Sequence, residues 1–215
     1  MQILKDISEN LQKGRAKVVT QLVEQALADG LSADDILQQG MMPGMDIIAT
    51  KFKNNEVYVP EVLIAARAMN MGTALLKPHL GEDSSSVIGK AVIGTVKGDL
   101  HDIGKNLVRM MLEGKGIEVI DLGVDVSAEA FVAAVKEHNA DVVALSALLT
   151  TTMGEMANTV KAIEDAGLRN SVTIMVGGAP VTDHFCKEVG ADIYTADAAS
   201  AADAAKEAIL AKKAA

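Results

Sequence analysis

Aromatic side chains are scarce: the 215 residues include no Trp, two Tyr and three Phe. Surfaces that stack bases or sugar rings need such groups, so a base-stacking function is excluded. The single cysteine, Cys186, has no partner in the chain for a disulfide and accords with a reducing compartment. Basic charge is also lacking. Twenty Lys and Arg stand against 29 Asp and Glu, a formal charge of −9, and no Lys/Arg cluster interrupts that balance. A polyanion needs a concentrated basic face, so neither nucleic acid nor an anionic membrane is expected as a partner. The opening MQILKDISENLQKGRAKVV spreads charge throughout and has no continuous apolar stretch, so neither a secretion signal nor a membrane span is expected and a cytoplasmic location follows.

What is present is aliphatic. Hydrophobic residues make up 49% and charged ones 23%, with 11 Met, which suffices for a buried core. The length exceeds the ~100–150 residues usual for one domain, so two are expected.

The periodicity divides the chain. Up to about Leu80 apolar residues recur at helical spacing, as in Ile3, Leu4, Ile7 and Leu11, then Val18, Val19, Leu22, Val23, Ala26 and Leu27. Ser32 before Asp34 and Asp35 predicts a helix start, Pro43 and Gly44 an interruption, Pro60 a first turn and Pro78 a stop. The sum is a bundle of four or five helices over residues 1–81. The polar GEDSSS stretch is read as the linker, with 82–86 between the domains. From 87 to 215 five β-rich runs alternate with five helical ones, which predicts a parallel, doubly wound α/β sheet with helices on both faces. In such sheets ligands sit beyond the carboxyl ends of the strands. Those ends read GDLHDIG, SALLTTT, GGAP and TADAAS.

Within GDLHDIG, His101 alone is an ordinary solvated loop histidine, Asp99 and Asp102 are helix caps, and Gly98 and Gly104 are turn residues. The spacing sharpens this. Forty-one residues separate Gly104 from Ser146, and 28 separate Leu148 from Gly177. DxHxxG, SxL and GG at these intervals resemble the corrinoid-binding module of cobalamin-dependent methyltransferases and mutases; here they are Asp99-Leu100-His101-Asp102-Ile103-Gly104, Ser146-Ala147-Leu148 and Gly177-Gly178.

The resemblance implies that a His takes the lower axial place on cobalt once the cofactor's own dimethylbenzimidazole tail has left it, which puts His101 there as metal ligand. Imidazole suits such a metal, and a ligating His commonly gives its other N–H to a carboxylate. The implied relay is His101, Asp99 and Thr152, the last where many relatives have Ser. Gly98, Leu100, Asp102, Ile103, Gly104, Ser146, Leu148, Thr150, Gly177 and Gly178 are the implied cofactor-binding set, with Ala198 a looser match. The stretch Gly44 to Pro78 is similar to the helical cap of methionine synthase and of corrinoid proteins in methanol, methylamine and aryl methyl ether metabolism. By that likeness Phe52 and Val59 cover the upper face of the corrin, Val59 standing where a Leu is usual; without it Phe52, like Tyr58, Met69 and Met71, reads as ordinary bundle core.

The expectation is a carrier rather than a complete enzyme. It would hold a methyl group on cobalt, as the methyl-cobalt form, between a substrate-specific methyltransferase and a second methyltransferase acting on a thiol, coenzyme M, or a pterin, tetrahydrofolate; a reductive activating protein is a further expected partner. Two alternatives are the cobalamin-binding subunit of a carbon-skeleton mutase, which lacks the helical cap, and a cobalamin-dependent sensor, which would pair the module with a basic recognition helix.

Overall fold

The computed structural model describes residues 1–80 and 87–214. The chain divides into two compact units, Met1–Val87 with Gly114–Gly116, and Ile88–Glu113 with Ile117–Ala215. The GEDSSS stretch, read from sequence as the linker, lies outside the described residues.

The first unit is helical. Helices α1 (Gln2–Gln12) and α2 (Ala16–Ala28) bury Leu4, Ile7 and Leu11 and Val19, Val23 and Ala26, the stripes expected from their spacing. Ser32 caps α3 (Ala33–Asp35), its side chain accepting from the Asp35 N–H. The helical path then widens into a π segment, Ile36–Met41, before α4 (Met42–Lys53), so the interruption expected at Pro43 and Gly44 is a change of helical pitch with Pro43 in the first turn of the new helix. Helix α4 packs closely on α1: a Cβ built on Gly44 would lie 3.0 Å from the Ser8 carbonyl oxygen. Helix α5 (Val59–Leu76) has Pro60 in its first turn and ends before a 3-10 turn containing Pro78.

The second unit is a five-stranded sheet, β1 (Gly89–Thr95), β2 (Ile117–Asp121), β3 (Val142–Ser146), β4 (Thr173–Gly177) and β5 (Ile193–Tyr194), in the order β2-β1-β3-β4-β5 with every pairing parallel. Helices α6 (Ile103–Gly114), α7 (Ala128–His138), α8 (Met153–Asp165), α9 (Asp183–Glu188) and α10 (Ala198–Lys213) alternate with the strands. This is the doubly wound architecture that the alternation predicts. The central strands read as near-continuous apolar runs because helices cover both faces. Val92, Val143, Leu145, Ile174 and Val176 share one core with Phe131, Met156, Val160 and Ile163. The packing is tight enough that a Cβ on Gly94 would meet the Phe131 ring at 2.7 Å.

Register positions the site. Thr95 ends β1 opposite Ser146 of β3, and Ser146 lies opposite Gly177 of β4. Three strands therefore finish level. The segments after β1, β3 and β4, far apart in sequence, emerge side by side at the carboxyl edge, where the order of connection reverses between β1 and β3.

Candidate corrinoid site

The segment after β1 turns at once. Gly98 has φ +80, a left-handed conformation that favours glycine, and the Asp99 N–H closes the turn onto the Val96 carbonyl at 3.1 Å. This aims Asp99 inward. Its residue is fully buried, and its carboxylate gathers donors from two segments. Oδ1 accepts from His101 Nδ1 at 2.7 Å and from the His101 N–H at 3.1 Å. Oδ2 accepts from the Leu148 N–H at 2.8 Å, the Leu149 N–H at 3.1 Å and the Thr152 hydroxyl at 2.9 Å. Thr152 is itself buried, in a 3-10 turn, Thr150–Thr152, between β3 and α8.

Burial alone would raise the Asp99 pKa. The hydrogen bonds from the His101 ring, the Leu148 and His101 N–H groups and Thr152 outweigh it and hold the carboxyl well below the usual carboxylate range. An ionised carboxylate has only acceptors, so the 2.7 Å contact requires Nδ1 to carry the proton. In the neutral ring the lone pair is then on Nε2. The His101 side chain is 51% exposed, so one ring nitrogen is anchored while the ring reaches solvent.

The other expected residues surround this pair. Leu100 and Ile103 are 71% and 77% exposed beside His101, and Leu148 and Leu149 are also exposed, an apolar rim on the carboxyl edge. Asp102 precedes α6 and accepts from the Asn106 side chain at 3.0 Å and, through its carbonyl, from the Asn106 N–H, which is the helix-start role. Gly104 is in the first turn of α6, Ser146 ends β3, and Thr150 is exposed in the 3-10 turn. Gly178 has φ +136, and a Cβ there would lie 1.8 Å from the Ala147 carbonyl oxygen, so no side chain fits without movement. Ala198 begins α10 and is buried. Phe52 and Val59 belong to the helical unit, in the last turn of α4 and the first of α5, and both are partly exposed.

Three features had no sequence signal as site residues. Thr95, fully buried at the end of β1, donates its hydroxyl to the His101 carbonyl at 2.9 Å. Lys105 is buried in α6 and pairs with Asp121 at the end of β2 at 2.6 Å, holding the start of α6 against the sheet. Burial would raise the Asp121 pKa, but Lys105, the Gly123 N–H and Arg109 lower it overall. Asp125 is the third. A lysine or aspartate between strands is ordinary solvated charge until the fold supplies its partner.

Two family models, each described as a B12 binding domain, match residues 3–77 and 89–206. A corrinoid protein of Desulfitobacterium hafniense (strain Y51) is 36% identical over 210 residues, covering 96% of this chain and 97% of that protein. The dimethylamine corrinoid protein of Methanosarcina barkeri is 38% identical over 207 residues, with 96% and 97% covered. Among solved structures, the methanol:cobalamin methyltransferase complex of M. barkeri matches with a TM-score of 0.89 at 28% identity, over 97% of this chain and 80% of that one. Fold and site thus define a protein with two B12-binding domains. The chain belongs to the family of corrinoid proteins, and its cofactor is a cobalamin or related corrinoid.

The residues fit that cofactor. A Cβ added at Gly104 or Gly177 would meet no atom within 4 Å, so the backbone there borders open space that a side chain would fill. The apolar rim suits a macrocycle, and imidazole is a good donor to cobalt. Among the described residues no helix is long and apolar enough to cross a membrane.

Proposed function

We propose that this protein carries a methyl group between two methyltransferases, and that His101 would hold the cobalt of the corrinoid. When bound, the corrinoid supplies a metal centre that accepts a methyl group from a donor and yields it to an acceptor. The protein's own residues would orient and tune it. Asp99 would fix the Nδ1–H tautomer, which leaves Nε2 as the donor atom. Thr152 and the Leu148 and Leu149 N–H groups hold Asp99 ionised, and a proton gained or lost as ligation changes would be shared along His101, Asp99 and Thr152. Gly98, Gly104, Ser146, Leu148, Thr150, Gly177 and Gly178 would line the slot for the displaced nucleotide tail, with Leu100, Asp102, Ile103 and the looser Ala198 beside it. Phe52 and Val59 would supply apolar cover for the upper face, which needs protection from water.

The observation that carries this reading is the Asp99 carboxylate, which takes one nitrogen of His101 and aligns the ring for a ligand on the other. Relatives named for dimethylamine and trimethylamine, and the solved methanol complex, support a methylamine- or methanol-specific methyltransferase as the donor partner. A second methyltransferase acting on coenzyme M or tetrahydrofolate, and a reductive activating protein, complete the proposed set.

The test is reconstitution with hydroxocobalamin, reduction to cobalt(II) and electron paramagnetic resonance on wild type and His101→Ala. With the ring nitrogens of histidine labelled with nitrogen-15, the ligand splitting should be that of nitrogen-15 in wild type, and in the variant it should be absent or that of the unlabelled dimethylbenzimidazole tail. Identical spectra would overturn the ligand assignment, and failure of any candidate methyltransferase pair to pass labelled methyl through the loaded protein would overturn the carrier role.

A further inference from the structure

Asp125 follows β2 in the sequence DLGVDV and has φ +54, the left-handed region that Asp and Asn enter more readily than most residues. That conformation turns both of its polar groups onto the segment after β1. Its Oδ1 accepts from the Gly98 N–H at 2.7 Å, and its own N–H donates to the Asp99 carbonyl at 3.0 Å. The two bonds grip the Gly98–Asp99 dipeptide at both ends, and the next residue anchors the grip: Val126 bridges Val96 and donates its N–H to the Thr95 carbonyl at 3.0 Å. Asp99 is thus fixed on its carboxylate side by the segment after β3 and on its backbone side by the segment after β2.

We infer that Asp125 is a positioning residue for His101: by holding Gly98 and Asp99 from both ends, it sets the height and direction of the Asp99 carboxylate and, through that carboxylate, the orientation of the imidazole. Gly98 sits in a left-handed turn with no side chain to brace it, so without an acceptor for its N–H the turn can relax and carry Asp99 with it. A shift of a few tenths of an ångström would weaken the 2.7 Å contact that selects the tautomer. The ligating role of the ring is the one proposed above. The positioning is a property of the chain itself and can be measured without the cofactor.

Three substitutions separate the contributions. Asp125→Asn keeps an oxygen acceptor and tolerance of the left-handed conformation. Asp125→Gly keeps the conformation and the N–H to Asp99 but removes the acceptor for Gly98. Asp125→Ala removes the acceptor and disfavours the conformation. Nitrogen-15 spectra of the full chain without corrinoid report which nitrogen of His101 is protonated, with His101→Ala supplying the assignment. Wild type and Asp125→Asn should show Nδ1–H, while Asp125→Gly and Asp125→Ala should shift towards Nε2–H, the form that water favours. Hydroxocobalamin affinity, from absorbance titration, should fall about 10-fold in Asp125→Gly and stay near wild type in Asp125→Asn, the usual scale for losing a group that orients a metal ligand.

If Asp125→Ala fails to fold, the Gly and Asn pair decides. An Asp125→Gly protein with an unmoved His101 tautomer, whatever its affinity, would overturn the inference, because any loss would then not act through the imidazole. A moved tautomer alongside unchanged cobalt(II) spectra in His101→Ala would leave the positioning standing and remove the ligand assignment, so the two failures are distinguishable.

Discussion

At the amino edge of the sheet, Asp141 accepts from the Lys90 N–H at 2.8 Å while its own N–H donates to the Lys90 carbonyl, and Asp192 does the same with Ile174, adding an ion pair to Arg169 at 2.6 Å. At the carboxyl edge, Asp99 collects five donors from segments about 50 residues apart. The carboxylates of the amino edge extend the strand ladder by one rung and remain partly exposed. The carboxylate of the other edge is fully buried and holds a half-exposed titratable ring. The same residue type thus serves strand register at one edge and site geometry at the other. What separates them is the number of donors each must satisfy and whether water can replace a lost one.

Exchanging each for its amide breaks the comparison most sharply. In Asp99→Asn the amide nitrogen must face either the two His101 groups or the Leu148, Leu149 and Thr152 donors, so donors confront donors without water. Urea unfolding of the corrinoid-free protein should show a loss of about 3 kcal/mol, two or three buried bonds at ~1–1.5 kcal/mol each. Asp192→Asn keeps an acceptor for Ile174 and loses only a partly exposed ion pair, so its cost should be about 1 kcal/mol or less. Equal costs would show that the two edges do not differ as described.

Acid sharpens the same contrast. Asp99 and Asp121 are both held below the usual carboxylate range when folded, whereas the unfolded chain binds protons near about pH 4. Below that pH the unfolded state therefore binds more protons than the folded one. Their contribution is fully present above the unfolded pKa and is lost as pH falls towards the folded values. Stability of the corrinoid-free protein should decline from pH 5 downwards, and the decline should be shallower in Asp99→Asn. Parallel curves for wild type and variant would remove Asp99 as a source.

The smallest effect on stability is expected at Gly177. Its Cβ would enter open space, so Gly177→Ala should leave the unfolding midpoint of the corrinoid-free protein nearly unchanged while weakening hydroxocobalamin binding. Unchanged binding would show that this part of the edge does not face the cofactor.

Much of this was legible in the sequence because it is local. Helical stripes, the change to alternating strand and helix, Ser32 as a cap and Pro60 as a first-turn residue all rest on interactions within a few positions, and the structure has each of them. Spacing between DLHDIG, SAL and GG, with the family resemblance, pointed to Asp99, His101 and Thr152, and in the fold both His101 and Thr152 hydrogen-bond to Asp99. The π segment at Ile36–Met41 was not legible, since it changes the pitch of a helix without changing which residues are apolar.

Sequence by itself determined the two-part organisation, the doubly wound class and the residues through which the corrinoid family is recognised. Tertiary structure alone decided that Asp99 would be saturated by Leu148, Leu149 and Thr152, that Thr95 would hold the His101 carbonyl, that Lys105 would be buried on Asp121, and that Asp125 would grip Gly98 and Asp99. The physical reason is that a polar side chain's role depends on which donor or acceptor lies within about 3 Å. In a parallel sheet, strand order and register bring all of those partners but the Thr95–His101 pair together from 16 to 53 positions away, a distance over which composition and periodicity carry no information.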